Sequence, residues 1–173
     1  AGDLIGAARL LKDRGLDCHV ILAGAGEMEA ALREQAAENP DLSIHFPGFF
    51  NQSEVPKLLA ACDIFVLPSQ AEPWGLIVNE AMCAGLPIVA SEEIGSVVDL
   101  IRPGINGATF PATDVAALAA AIEPMLRDAD VRRAMGDASR AIISAWNYDC
   151  CVDGLRAALR ALGKLPASPR EAS

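Results

Sequence analysis

Two glutamates offer the clearest chemistry in this chain. Glu72 and Glu80 stand eight positions apart, on either side of Pro73-Trp74-Gly75-Leu76-Ile77-Val78-Asn79. Pro73 and Gly75 suit a tight turn into a helix start, which places Glu72 in the loop just before that helix. From Leu76 to Ala84 every residue is apolar except Asn79 and Glu80. A helix apolar nearly all round is buried on most sides, and a carboxylate carried on it needs a partner. Glu80 follows Leu76 by four residues and Ile77 by three, so it shares their face one turn deeper. A carboxylate held there can accept two charge-assisted hydrogen bonds from a sugar diol. The alternatives are local: Glu72 as a partner of the helix dipole, and Glu80 paired with an arginine of a neighbouring helix or reaching solvent at the helix flank.

Glycine-bearing loops supply the rest of the candidate site. Gly24-Ala25-Gly26 is similar to the start of a dinucleotide fingerprint, but Glu29 stands in place of the third glycine, and a plain turn explains the pair equally well. Gly95-Ser96 opens a short helix and offers backbone N–H groups to a phosphate; the alternative is an ordinary helix start capped by Ser96. Phe49 and Phe50 follow Gly48, where one lines a base pocket and the other joins the core. Trp74 is grouped with the donor-binding residues, against the alternative of simple packing on Pro73. His19 and His45 fall inside strands as packed or surface residues. Cys18, Cys62, Cys83, Cys150 and Cys151 have no metal-ligand spacing and read as free thiols of a reducing cytosol. No metal site is expected.

These loops need a frame. Helical periodicity covers residues 4–11, 28–37, 53–61, 75–84, 96–101, 113–127, 129–145 and 148–162, with a kink at Pro124. Short apolar runs at 18–23, 42–46, 64–67, 87–90 and 108–110 read as strands. Strands separated by helices give a parallel sheet covered on both faces, a Rossmann-like doubly wound α/β domain. In such a sheet ligands bind beyond the carboxyl ends of the strands, where the loops after Ala23, Phe46, Leu67 and Ala90 meet. One domain over residues 1–163 and a flexible tail over 164–173 account for the chain.

Composition sets limits. Just over half the residues are apolar, enough for a full core without staples. No apolar run reaches the length of a membrane helix, and no leader segment is expected. The formal charge of −9 disfavours nucleic acid or an anionic membrane as partner of this segment. One small anion at a helix N-terminus remains compatible with it.

The stretch from Cys62 to Pro111 resembles the family-4 retaining glycosyltransferases of GT-B architecture. The carrying residues are Asp63-Ile-Phe-Val-Leu-Pro-Ser69, Glu72-Pro-Trp-Gly-Leu-Ile-Val-Asn-Glu80, Ala81-Met-Cys-Ala-Gly-Leu-Pro-Ile-Val-Ala-Ser91 and Arg102-Pro-Gly-Ile-Asn-Gly-Ala-Thr-Phe-Pro111. The resemblance extends more loosely from Asp3 to about Leu162. It implies the C-terminal, donor-binding half of an enzyme that transfers a sugar from a nucleoside-diphosphate sugar, without metal or other cofactor and with retention of anomeric configuration. It implies that Glu72 contacts donor-sugar hydroxyls near the reacting carbon and that Glu80 binds the ribose hydroxyls. Gly75, Leu76 and Ile77 then meet the diphosphate and ribose, and Phe49 edges the base pocket. The acceptor is expected on an N-terminal domain outside this chain, in an enzyme compatible with peripheral membrane association. The family's basic diphosphate-binding residues belong to a first strand and turn, expected before Ala1; that strand would sit centrally in a parallel sheet, so without it bare backbone edges, exposed apolar surface and marginal stability or dimerisation are expected. The family commonly has paired glycines where Gly95-Ser96 stands, which departs from the pattern. A nucleotide-binding module without catalysis is the main alternative, followed by a nucleotide-sugar epimerase; an oxidoreductase is disfavoured by Glu29.

Overall fold

The computed structural model describes residues 1–164, so the expected tail lies, but for Lys164, outside the described residues. Helices and strands alternate in the order α1 (Gly2–Asp13), β1 (His19–Ala23), α2 (Glu29–Ala37), β2 (Ser43–Gly48), α3 (Val55–Ala60), β3 (Phe65–Leu67), α4 (Leu76–Ala84), β4 (Ile88–Ser91), α5 (Val97–Leu100), β5 (Gly107–Phe110), α6 (Val115–Arg127), α7 (Ala129–Ser144) and α8 (Tyr148–Ala161). Every strand pairing is parallel. Pro124 sits inside α6, which runs through it as one helix rather than breaking there. Among the described residues no helix is long and apolar enough to cross a membrane.

Strand β4 shows why both faces are covered. All four of its residues are buried, and successive side chains point to opposite faces. Ile88 and Ala90 enter a cluster with Val78, Met82 and Leu100 of α4 and α5. Val89 enters a second cluster with Leu11 of α1, Phe110 of β5, and Leu118, Ile122 and Met125 of α6. Each large side chain removed fully from water contributes roughly 1.5–3 kcal/mol, so the β3–β5 region is the stable frame. Side chains fix the helix starts: Asp114 accepts from the Ala117 amide at 2.8 Å at the head of α6, and Asp128 accepts from Asp130 and Val131 at the head of α7.

The five strands fall into two sets. β1 pairs only with β2, and β3, β4 and β5 form a separate set. No hydrogen bonds join β1 to β3. Between them opens a cleft of about 920 Å³, lined on one side by Val20 to Ala23 and on the other by Ile64 to Leu67, with Leu11 and Ile122 among the residues behind. Two edges thus face each other with unpaired N–H and C=O groups. β1 and β2 are correspondingly less buried, with alternate residues exposed along β2.

Candidate functional site

The loop between β3 and α4 is held by the next loop along the sheet. Ser91, at the end of β4, donates its hydroxyl to the Ser69 carbonyl at 2.5 Å. Glu72 forms a parallel bridge with Ile94. The Gly95 amide donates to the Glu72 carbonyl at 3.0 Å and the Ser96 amide to the Trp74 carbonyl at 3.2 Å. A Cβ on Gly95 would stand 2.0 Å from the Pro73 carbonyl oxygen, so only glycine permits this approach. Gly75 enters α4 at φ 79°, a left-handed conformation that glycine adopts without steric cost.

This pairing corrects the reading of Gly95 and Ser96 as phosphate-facing. Both amides already donate to the neighbouring loop. Ser96 stands at the N-cap position of α5, but its side chain makes no capping bond, and among the described residues its buried hydroxyl has no partner. Their task is to hold the loop that carries Glu72.

Glu72 is half-buried, and its Oε1 accepts from the Gly75 amide at 3.2 Å. The local role is therefore real, since the carboxylate closes the turn into α4. Among the described residues its second oxygen accepts no hydrogen bond, which leaves it available.

Glu80 is half-buried on α4 and, among the described residues, has neither a hydrogen-bond donor nor a cationic partner. The arginine pairing that would make it structural is absent from the described set. A carboxylate kept partly out of water without a partner forgoes hydrogen bonds that a ligand hydroxyl could supply. On the first turn of the same helix, the amides of Leu76 and Ile77 find no partner among the described residues, while Val78 donates to the Gly75 carbonyl. Those two N–H groups and the aligned peptide dipoles make the head of α4 a place for negative charge.

The remaining candidates divide between two places. Gly24, Gly26, Phe49 and Ile77 all line the cleft between the two sheets. Phe49 is 75% exposed and Phe50 half-buried; both line the cleft and neither belongs to the two core clusters. Gly24 continues the β1–β2 ladder by donating to the Gly48 carbonyl, and the Gly26 carbonyl accepts from Glu29 at the head of α2. The glycine pair is thus a turn, with open space where side chains would be. Trp74 makes contacts of its own within the protein. Its indole N–H donates to Asn79 Oδ1 at 3.1 Å, and its ring packs on the α4 cluster and against Trp146. Its indole N–H and part of its ring are thus engaged within the protein.

Sequence reasoning missed Asn79, Trp146 and Ser91. A polar Asn79 in an otherwise apolar helix was the available signal; nothing local marks Trp146. Cys18 and Cys62 also line the cleft, and burial pushes both thiols above their ordinary range. They stay protonated at neutral pH, which argues against a thiolate nucleophile. His19 and His45 stack on each other on the exposed side of β1 and β2.

Similarity to known proteins follows the same region. The chain is 28% identical over 161 residues to an alpha-D-kanosaminyltransferase of Streptomyces kanamyceticus, covering 92% of this chain and 42% of that protein. It is 35% identical over 127 residues to a glycogen synthase of Mycobacterium tuberculosis, covering 73% and 30%. Among solved structures, sucrose-phosphate synthase from Thermosynechococcus elongatus superposes with a TM-score of 0.76 at 26% identity, over 93% of this chain and 41% of that one. HepE of Anabaena in complex with UDP-glucose gives 0.70 at 28% identity, over 83% and 40%. The architecture is that of the GT-B glycosyltransferases, and the chain spans less than half the length of these relatives. The family model for glycosyl transferases group 1 matches residues 2–142, and the chain belongs to that family.

Proposed function

We propose that this domain holds the nucleoside-diphosphate-sugar donor of a retaining, metal-independent glycosyl transfer of the family-4 type. The observation that carries the reading is the head of α4, where the Leu76 and Ile77 amides, one turn before a half-buried Glu80, are like it without a partner among the described residues. A nucleoside diphosphate presents a matching series, with phosphate oxygens for the amides and a ribose diol for the carboxylate. Glu72, at the loop just before the same helix, then faces the sugar beyond the diphosphate. The base lies toward Gly48 and exposed Phe49 at the mouth of the cleft. HepE of Anabaena in complex with UDP-glucose supports a uracil nucleotide as the first donor to test.

Chemically, this domain's residues bind and orient. The amides at the head of α4 stabilise negative charge that builds on the leaving diphosphate as the glycosidic bond breaks. The free oxygen of Glu72 accepts from sugar hydroxyls and fixes the ring relative to that bond. The described residues gather no cluster of three or more metal-ligating side chains. With a net charge of −9, further positive charge on the diphosphate comes from residues outside this chain, as does the acceptor site. The intact enzyme works in the cytoplasm, peripheral to a membrane where its acceptor is a lipid.

The deciding experiment is calorimetric titration of the intact protein with UDP-, GDP-, ADP- and dTDP-sugars, followed by NMR of the product anomer. Binding of one series and an unchanged anomeric configuration support the reading. No binding of any nucleotide sugar, or an inverted product, refutes it. Nucleotide binding with no transfer to a broad acceptor mixture would instead favour a module without catalysis.

A further inference from the structure

The loop carrying Glu72 is held from a third direction, distant in sequence. The chain has two tryptophans, and they touch each other. Trp74 immediately precedes Gly75 at the entry to α4, and Trp146 lies between α7 and α8, next to Asn147, which caps α8. Their ring centroids are 5.9 Å apart with planes tilted by 45°, within the range of favourable aromatic pairs. The Trp74 indole N–H donates to Asn79 Oδ1 at 3.1 Å, which lays the ring along the first turns of α4. The Trp74 carbonyl accepts from Ser96. Backbone and ring of this residue are therefore fixed from three elements: α4, the 94–96 loop and the α7–α8 junction.

We propose that Asn79 and Trp146 are positioning residues. They clamp the Trp74 ring and so set where Glu72, two residues earlier, presents its free oxygen. This proposal rests on the reading of Glu72 as a donor-sugar contact. Glu72 itself is anchored by one long hydrogen bond to Gly75 and one backbone bond from Gly95. Rotation of the Trp74 ring out of its seat would let residues 72–75 turn as a unit about the 94–96 bridge. A consequence is that movement of α8 reaches the donor loop through the contact at Trp146. Trp146 is 46% exposed, so its ring serves as a brace at the surface rather than as core.

The test uses the intact enzyme with Trp146→Ala and Asn79→Leu, beside the conservative variants Trp146→Phe and Asn79→Asp. An aromatic pair or a single hydrogen bond lost from the clamp corresponds to roughly a two- to tenfold fall in kcat. The Kd for the nucleoside diphosphate should stay within about twofold of wild type. Trp146→Phe and Asn79→Asp should recover most of the activity, because each keeps a ring or an acceptor. The tryptophan exciton couplet in circular dichroism reports the pair directly and should vanish in Trp146→Phe. On a Glu72→Gln background, Trp146→Ala should cost nothing further, because both act through one carboxylate. Unchanged kcat in both Trp146→Ala and Asn79→Leu, a Kd rising in step with the fall in kcat, or an equal additional penalty on the Glu72→Gln background overturns the clamp. Full activity of Glu72→Gln alone overturns the role of Glu72, and is read separately.

Discussion

Replacing Glu72 by glutamine and by alanine separates its two jobs. In the structure one carboxylate oxygen accepts from the Gly75 amide at 3.2 Å, while the other accepts no hydrogen bond among the described residues. Glutamine keeps an oxygen for that amide, so the turn into α4 survives, and stability should move by no more than about 0.5 kcal/mol. What glutamine removes is the negative charge and half the acceptor capacity offered to the sugar. A group engaged in the transition state is worth roughly 2.7 kcal/mol or more, so kcat should fall by about 10²-fold or further. Alanine removes both jobs. It should show the same loss of turnover and, from the lost turn bond, cost about 1 kcal/mol of stability. For a domain of this size that corresponds to a fall in Tm of roughly 2–4 °C. The assay is transfer of a labelled sugar by the intact enzyme, with nucleoside-diphosphate affinity by calorimetry and Tm by calorimetric scanning. Affinity should change little in Glu72→Gln, because the carboxylate faces the sugar rather than the nucleotide. Turnover near wild type in that variant refutes the role. Equal losses of Tm in both variants would show that the carboxylate acts on the turn alone.

Glu80→Ala should weaken nucleoside-diphosphate binding by about 1–3 kcal/mol, roughly a five- to 150-fold rise in Kd; unchanged affinity by calorimetry would remove the ribose contact. Gly95→Ala places a Cβ against the Pro73 carbonyl, 2.0 Å away before relaxation, and should cost about 1–3 kcal/mol as the two loops part. Thermal scans at wild-type Tm would contradict the tight approach. The intact enzyme should keep its activity in excess EDTA, and loss restored by Mg²⁺ or Mn²⁺ would point to metal-assisted departure of the diphosphate. On the proposed reading, in which the acceptor site lies outside this chain, the 173-residue chain alone should fold but transfer no sugar, and the edges of β1 and β3 face an open cleft. Transfer at the rate of an intact enzyme would refute that division of the site.

What the sequence determined by itself was local. The alternation of short apolar runs with helical periodicity placed every strand and helix to within a few residues, because burial on two faces leaves a pattern in each segment. The apolar run from Leu76 to Ala84 identified α4 as interior, and its two polar members as exceptions needing an explanation. One of them, Glu80, is unpartnered among the described residues, whereas Asn79 proved to hold Trp74.

Only the tertiary structure decided which polar groups were already taken. Gly95 and Ser96 read equally well as an anion-binding helix start or an ordinary one, and their amides donate to carbonyls more than twenty residues earlier in the chain. That Trp74 packs against Trp146, more than seventy residues later in the chain, is likewise written in no local pattern. The physical reason is common to both. Side-chain hydrophobicity is written residue by residue, but a hydrogen bond or a ring contact depends on which distant partner the fold delivers within about 3 to 6 Å.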